Sequence, residues 1–471
     1  MKNLFIPLLS IIFLIASCGS NPTPQGDTSK PEGSSGIESS SLSISSESTS
    51  KRKEYSSNPM KDPYISRQYY LNHIGDIYTS WKYYRGEGQT IAVIDEGFKG
   101  NHEDFAFEDG SSKVSPKSAS FTYNNGKVTT KVGINYVDAD EASHGTFCAG
   151  VASAGINGKG VVGIAPNAKL LLLKTDLKPK SIAEAFHYAA DNGATVITIS
   201  IGSYENYEGD LLNDGSNLKT VFNEPVKYCY DKNIPVISAG GNGASSKKTY
   251  PGSVEYVIGV GGLAANSSSE AWSDTTYNAS KSDRHIDVMA PSDMMFGCSN
   301  YKRDGKEIVY DGGWKGTSFA SPQVAGMAAL YFEKYPTATA KQFEEALYAS
   351  CHKIDNNGKY GYGRVDVGKL LDINNTDEVT IRIKANWSSV YVYAWNLDKN
   401  KELKAWPGNK LTKSNNEYTI TIEPNDYDSI VINDGGNNKS PDIYVSSFIY
   451  EKAYSLTSST KENDYLIGRY S

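Results

Sequence analysis

Ser318 lies in the stretch WKGTSFASPQVAG, residues 314–326, where a glycine-led polar turn runs into an alanine-rich apolar segment. A serine at that junction has two readings. It can cap the helix, its hydroxyl accepting a bond from the first free N–H groups, or it can be a nucleophile. A serine hydroxyl is weak at neutral pH and needs a base within hydrogen-bond reach. The base needs an acid to orient it, and the oxyanion that forms needs donors already in place. The residue types required occur at Asp95, closing TIAVID, at His144, heading HGTFCAGVASAG, and at Asn242, closing IPVISAGGN. What matters is whether one sheet can gather them.

Between about Pro59 and Leu371 short, almost wholly apolar runs recur: TIAVID (90–95), KLLLLKT (169–175), TVITISIG (195–202), IPVISAGGN (234–242) and YVIGVGG (256–262). Such runs read as strands buried on both faces, as in a parallel sheet. Amphipathic segments separate several of them. SIAEAFHYAADNG puts Ile182, Ala185, Phe186 and Ala189 on one face and closes at Gly193; NEPVKYCYDKN is a second amphipathic candidate. Alternating strands and helices with right-handed crossovers predict a layered α/β domain with a mostly parallel sheet. Sites in such sheets lie beyond the carboxyl ends of the strands. Asp95, Ser200, Gly202 and Asn242 fall at those ends, while His144 and Ser318 each head an Ala- and Gly-rich helix.

TIAVIDEGFKGNHEDF, SHGTFCAGVASAGINGKGVVGIAPNAKL, SAGGNG and GTSFASPQVAG resemble the Asp, His, Asn and Ser motifs of the subtilisin-like serine proteases (peptidase family S8), in that family's order. IDVMAPS (286–292) and YPGSVEYVIGVGG (250–262) match further family segments, so the resemblance spans roughly residues 60–372. It implies a three-layer subtilisin-like domain over 59–372 and a serine endopeptidase acting on polypeptide. Under it Ser318 is the nucleophile, His144 the base and Asp95 its orienting acid. The side-chain amide of Asn242 and the Ser318 N–H receive the oxyanion; losing such an amide costs a subtilisin about 100- to 1000-fold in rate. Ser200, Ile201 and Gly202, with Ala239, Gly240 and Gly241, resemble the segments that flank the substrate side chain, along which an extended peptide adds as a strand. The other reading of these six is that they are sheet ends only. Room at Gly241 and Gly243 predicts an open, apolar-tolerant pocket.

No cofactor is required for this chemistry. A structural calcium is the one metal the resemblance offers: Asp104, Asn157 and carbonyls around Gly155–Val161 match a family calcium loop, although it lacks clustered carboxylates. Two departures stand out. Glu96 follows Asp95 where the family has a small Thr or Ser, which alters the hydrogen bonding there. DPYISRQYYLNHIGDIYTSW (62–81) resembles the start of the catalytic domain with only a Ser-rich stretch before it, so the chain is expected to fold unassisted or not to be a zymogen. Cys148, four residues after His144, reads as a buried thiol rather than a nucleophile.

The flanks differ in kind. Lys2 precedes a short apolar stretch, Leu4–Ile15, too short to span a bilayer, which reads as a targeting segment. Its end, LIASC, resembles a bacterial lipobox. That implies a signal peptide over 1–17, lipidation at Cys18 and an exported protein anchored to the extracellular face of the cell membrane; the alternative is an ordinary signal peptide cleaved nearby. Residues 18–58 are rich in Ser, Thr, Pro, Gly and Glu and predict a disordered tether. The net charge is −7 with no basic cluster, which argues against a nucleic-acid partner. Cys148, Cys229, Cys298 and Cys351 have neither disulfide-framework nor metal-pair spacing, and their pairing stays open.

After about Asn375 the apolar period becomes two: EVTIRIKANW, SSVYVYAWN, NEYTITIEP and DSIVINDGG predict a small all-β sandwich over 376–471. In VYVYAW, Val390, Val392 and Ala394 face one way, and Tyr391, Tyr393 and Trp395 the other. With AWPGNKL (405–411) and INDGGNNKSPDI (432–443), the region resembles starch-binding carbohydrate-binding modules of family 26. The resemblance implies an α-glucan held by Tyr391, Tyr393, Trp395 and Trp406, with Asn433 or Lys439 for sugar hydroxyls. The competing reading is that the ring row is sheet packing. The whole chain reads as a lipid-anchored surface endopeptidase with a glucan-binding tail. Its rival is a surface glucan-binding protein whose protease domain is inert or structural.

Overall fold

Central strands apolar and buried on both faces set the architecture. The computed structural model describes residues 53–471 except 140–142, 205–216, 266, 268, 356, 374–377, 397–398, 400, 425, 441, 451–452, 457–460, 463–464, 467–468 and 471. The strands are β1 (Thr90–Asp95), β2 (Ala119–Asn124), β3 (Lys127–Val132), β4 (Lys169–Thr175), β5 (Val196–Ile199), β6 (Ser203–Tyr204), β7 (Val236–Ala239), β8 (Thr249–Tyr250), β9 (Val257–Leu263) and β10 (Val288–Pro291). Eight of them form one sheet in the order β10-β9-β7-β5-β1-β4-β2-β3. Every neighbouring pair is parallel except β2 with β3.

The helices are α1 (Ile77–Tyr83), α2 (Ser143–Ser153), α3 (Pro179–Asp191), α4 (Leu218–Asp231), α5 (Ser321–Lys334) and α6 (Ala340–Ser350). Ile91 and Val93 of β1 pack with α2 and α5 in one core, whereas Ala92 and Ile94 pack with α3 and α4 in another. Alternate residues of one strand thus serve two cores, and the domain has three layers as predicted. A long hairpin, β11 (Met295–Arg303) and β12 (Lys306–Trp314), leads the chain into the Ser318 turn.

The targeting segment, Cys18 and the tether up to Arg52 fall outside the described residues. The end of the tether is revised. The Tyr55 N–H donates to Lys82 O at 2.9 Å, its hydroxyl donates to Glu333 at 2.7 Å, and Arg85 holds Ser57 O at 2.8 Å. Residues 53–58 therefore belong to the folded body, because Tyr55 and Ser57 find partners there.

The C-terminal region is a sandwich of two mainly antiparallel sheets. β13 (Val379–Ala385) pairs with Glu417–Ile422 in one, and β14 (Tyr391–Asn396) with Ser429–Asn433 in the other. Ile381, Ile383, Val390, Val392, Ala394, Ile430 and Ile432 fill the space between them. This body rests on the larger one. The Asn72 amide donates to Asp442 O at 3.0 Å, and the Ser446 hydroxyl donates to the half-buried Asp76 carboxylate, which also caps α1 through Thr79 N–H at 3.0 Å.

Candidate active site

β1 ends in Asp95, whose carboxylate is fully buried. One oxygen accepts the Glu96 N–H at 2.8 Å, and both face His144 Nδ1, at 2.9 and 3.1 Å. His144 sits in the first turn of α2, which meets the end of β1 only because Gly145 follows: a Cβ there would strike Gly97 O and lie 2.9 Å from Asp95 Cβ. Burial pulls the imidazole pKa down, but the Asp95 charge and hydrogen bond, with Glu96 beyond, outweigh it and hold His144 above its ordinary value. With Nδ1 committed to Asp95, Nε2 is the nitrogen available to take a proton.

Ser318 stands in the short turn Thr317–Phe319 before α5, entered through Gly316 at φ 147°. Its hydroxyl donates to Ser200 O at 3.0 Å rather than to the histidine, and its carbonyl accepts from Ser200 Oγ at 2.7 Å and the Cys148 thiol at 3.3 Å. Acid, base and serine are adjacent: a Cys148 Sγ that touches Ser318 O also lies within 4.8 Å of the facing Asp95 and His144 atoms. Catalytic hydrogen bonds are often unformed without substrate. Burial pushes the Cys148 thiol well above its usual value, so it stays neutral, as a structural thiol does.

Asn242 follows β7, and its orientation is determined by Thr317. Asn242 Oδ1 accepts both the Thr317 N–H at 2.9 Å and the Thr317 hydroxyl at 2.8 Å, which leaves Nδ2 as the donor. Thr317 Oγ1 in turn accepts the Gly241 N–H at 3.0 Å. Sequence reasoning passed over Thr317; its place between Gly316 and Ser318 was the available signal.

The segments Ser200–Gly202 and Ala239–Gly241 leave the adjacent parallel strands β5 and β7, so they emerge side by side. Beside Gly241 and Gly243, where the sequence suggests an open pocket, the structure places the Tyr204 hydroxyl. Tyr204 Oη accepts the Asn242 N–H at 3.1 Å, and a Cβ on Gly243 would strike that hydroxyl.

For the calcium loop the residues divide. Asn157 spends its amide on Glu103 O and Ala106 O, at 3.2 and 3.3 Å, and its carbonyl on the Lys159 N–H at 3.0 Å. It is therefore turned into its own loop. Asp62, which sequence reasoning missed, accepts the N–H groups of Asn157, Gly158 and Lys159 at 3.1–3.2 Å through Oδ1. Asp62 Oδ2 and Asp104 Oδ1 are both buried without a partner. Burial lifts Asp62 to about 7, against the pull of its three N–H donors. Burial lifts Asp104 to about 8, with Asp62 adding to the push. Two orphan carboxylate oxygens in one buried neighbourhood fit a hard cation. Asp104 also lies in a second cluster with His102 and Cys298, but there His102 Nε2 donates to Val309 O at 2.8 Å and Nδ1 accepts the Asp104 N–H at 3.2 Å, so neither nitrogen is free.

On the sandwich, Val390, Val392 and Ala394 are buried in the core and Tyr391, Tyr393 and Trp395 line the opposite face. The Tyr393 and Trp395 rings stack at 5.4 Å and 24°, and Trp406, 51 % exposed, stands 5.7 Å from Tyr393. Tyr391 is set apart, against Gly435 and beneath Lys410. Asn433 is not available to a sugar: it is buried, its amide donates to Pro407 O at 3.0 Å, and its carbonyl accepts the Gly435 N–H at 2.9 Å.

Residues 86–363 match the model of the subtilase family, and residues 379–444 that of starch-binding module 26. Subtilisin DY of Bacillus licheniformis is 30% identical over 239 residues, 49% of this chain and 78% of the relative. Thermitase of Thermoactinomyces vulgaris is 30% identical over 251 residues, 51% of this chain and 80% of the relative. With subtilisin E of Bacillus subtilis (strain 168) the identity is 33% over 237 residues, 48% of this chain and 55% of the relative, so only about half of that longer protein is spanned. Among solved structures, a protease from Pseudoalteromonas arctica superposes with a TM-score of 0.54 at 22% identity, over 67% of this chain and 99% of that one. Fervidolysin from Fervidobacterium pennivorans also gives 0.54, at 19% identity, over 80% of this chain and 59% of that one. These two likenesses concern the fold alone.

Proposed function

Because this chain belongs to the subtilase family, and is a serine-type endopeptidase carrying a starch-binding module, we propose that it cuts polypeptides with Ser318 as nucleophile, His144 as general base and Asp95 as the acid that orients it. The observation that carries this is the buried Asp95 carboxylate facing His144 Nδ1 at 2.9 Å beside the Ser318 turn. Ser318 Oγ rotates off Ser200 O and gives its proton to Nε2 as it attacks the substrate carbonyl. Asp95 stabilises the imidazolium. The carbonyl oxygen, now an oxyanion, receives hydrogen bonds from Asn242 Nδ2 and the Ser318 N–H. Nε2 then protonates the leaving amine, and water releases the acyl group by the same steps. Labelling with a fluorophosphonate tests this: a covalent adduct on Ser318 is expected, and an enzyme that cleaves casein yet labels elsewhere refutes it.

Asp62 and Asp104 would hold a structural cation, calcium by its preference for oxygen ligands. It would neutralise two buried carboxylates and tie the segment around Asp62 to the loop at 155–161, without a part in the bond-breaking steps. Tyr393, Trp395 and Trp406 are the rings offered to an α-glucan, with Tyr391 at their margin. The LIASC sequence supports export and anchoring through acyl chains on Cys18, at the extracellular face of the cell membrane. Detergent-phase partitioning that survives Cys18→Ser would exclude that anchor.

A further inference from the structure

One side chain crosses between the two segments that flank the proposed substrate slot. Tyr204 continues the chain from Gly202 through Ser203, on one wall, and its hydroxyl accepts the N–H of Asn242, on the other, at 3.1 Å. The ladder between β6 and β8 fixes its base, pairing Ser203 with Tyr250 and Tyr204 with Thr249. Thr249 is set by its own bond, Oγ1 donating to Gly240 O at 2.9 Å. Three groups therefore converge where a Cβ of Gly241 would lie: Thr249 Cγ2 at 2.7 Å, Thr276 Oγ1 at 2.8 Å and Tyr204 Oη at 3.3 Å. The Thr276 hydroxyl is buried with no hydrogen-bond partner among the described residues. A Cβ on Gly243 would meet the oxygen of the same Tyr204 phenol, so the ring lies against both glycines.

We propose that Tyr204 is the specificity-determining residue of the peptidase site. It closes the slot so that the substrate residue whose carbonyl is attacked must be small: glycine, alanine or serine. The inference rests on the reading of Ser318 as nucleophile. It differs from a structural role for Tyr204 because it predicts a change in substrate ratio and not merely in rate. A pocket that excludes one methylene discriminates by roughly 10- to 200-fold, and Leu or Phe exceeds alanine by several carbons.

The test is kcat/KM on succinyl-Ala-Ala-Pro-X p-nitroanilides with X as Ala, Ser, Leu and Phe, using the full chain. The wild type is expected to favour Ala and Ser over Phe by at least about tenfold, and Tyr204→Ala to shift the Phe-to-Ala ratio upward by a similar factor. Thr249→Gly, which deepens the same slot, should move the ratio the same way and stands in if the first variant fails to fold. A wild type that cuts after Phe or Leu as well as after Ala overturns the inference, whatever the variants do. So does Tyr204→Ala lowering every substrate by one common factor. These outcomes are separable from failure of the catalytic reading, in which no substrate is cut and the fluorophosphonate does not label Ser318.

Discussion

Asp95, His144 and Asn242 are each set by hydrogen bonds, from the buried Asp95 out to the exposed Asn242, whereas among the described residues Tyr393, Trp395 and Trp406 are set against one another as rings, with the Tyr393 hydroxyl donating to Glu402 at 2.8 Å. The first group must move a proton and meet a developing charge, so small errors in direction are costly. The second has only to present flat apolar faces, and a sheet surface does that through its pleat. The contrast extends to sequence distance. Asn242 takes its orientation from a residue 75 positions away, while Tyr393 and Trp395 stack as neighbours on one strand.

Substitutions in the two regions should therefore differ in kind and size. Ser318→Ala is expected to lower kcat by about a million-fold, the scale seen when a subtilisin nucleophile is removed. Asn242→Ala should cost about 100- to 1000-fold, read on the same peptide substrate. Thr317→Ala is the finer probe, because it removes the hydroxyl bond to Asn242 Oδ1 and leaves the bond from the backbone N–H, so kcat should fall by less than for Asn242→Ala. If its kcat equals wild type, the claim that the Thr317 hydroxyl helps set the Asn242 amide fails.

Tyr393→Ala with Trp406→Ala should weaken retardation in a starch-containing native gel by roughly tenfold, at about 0.5–1.5 kcal/mol for each ring contact, while peptide hydrolysis stays at the wild-type value. A wild-type protein that runs unretarded would return the rings to packing. Smaller again is the cation effect. Chelation should lower the melting temperature by a few degrees, as a 1 kcal/mol loss does in a domain of this size, and Asp62→Asn with Asp104→Asn should abolish that difference. Equal melting of wild type with calcium and with chelator would remove the cation from the account.

The finest distinction concerns Glu96. Its charge helps hold the His144 pKa up, and the imidazole serves as base only in its neutral form, above that pKa. Activity should therefore fall as pH drops through the raised value. Glu96→Gln removes a charge that favours the imidazolium, so the acid limb of kcat/KM should move to lower pH. A limb that stays in place or moves upward contradicts the coupling.

What the amino-acid order settled alone was periodic or contiguous. Runs apolar on both faces announced a buried parallel sheet, and β1 does divide its residues between two cores. Alternation in VYVYAW announced an aromatic outer face, and Val390, Val392 and Ala394 are its buried counterpart. Asp95, His144, Asn242 and Ser318 were marked by motifs at element ends, where a short stretch of chain carries both the residue and its setting. Tertiary structure alone decided the rest. Tyr204 reaches Asn242 across a ladder of two residues each, and Asp62 enters a loop 95 positions away. The tether's last residues find Lys82 and Glu333, and Asn433 turns inward to Pro407. Each of these joins residues well apart in the chain, and no period relates the two partners. Which polar group meets which buried donor depends on how distant loops pack, and a local pattern carries no trace of it.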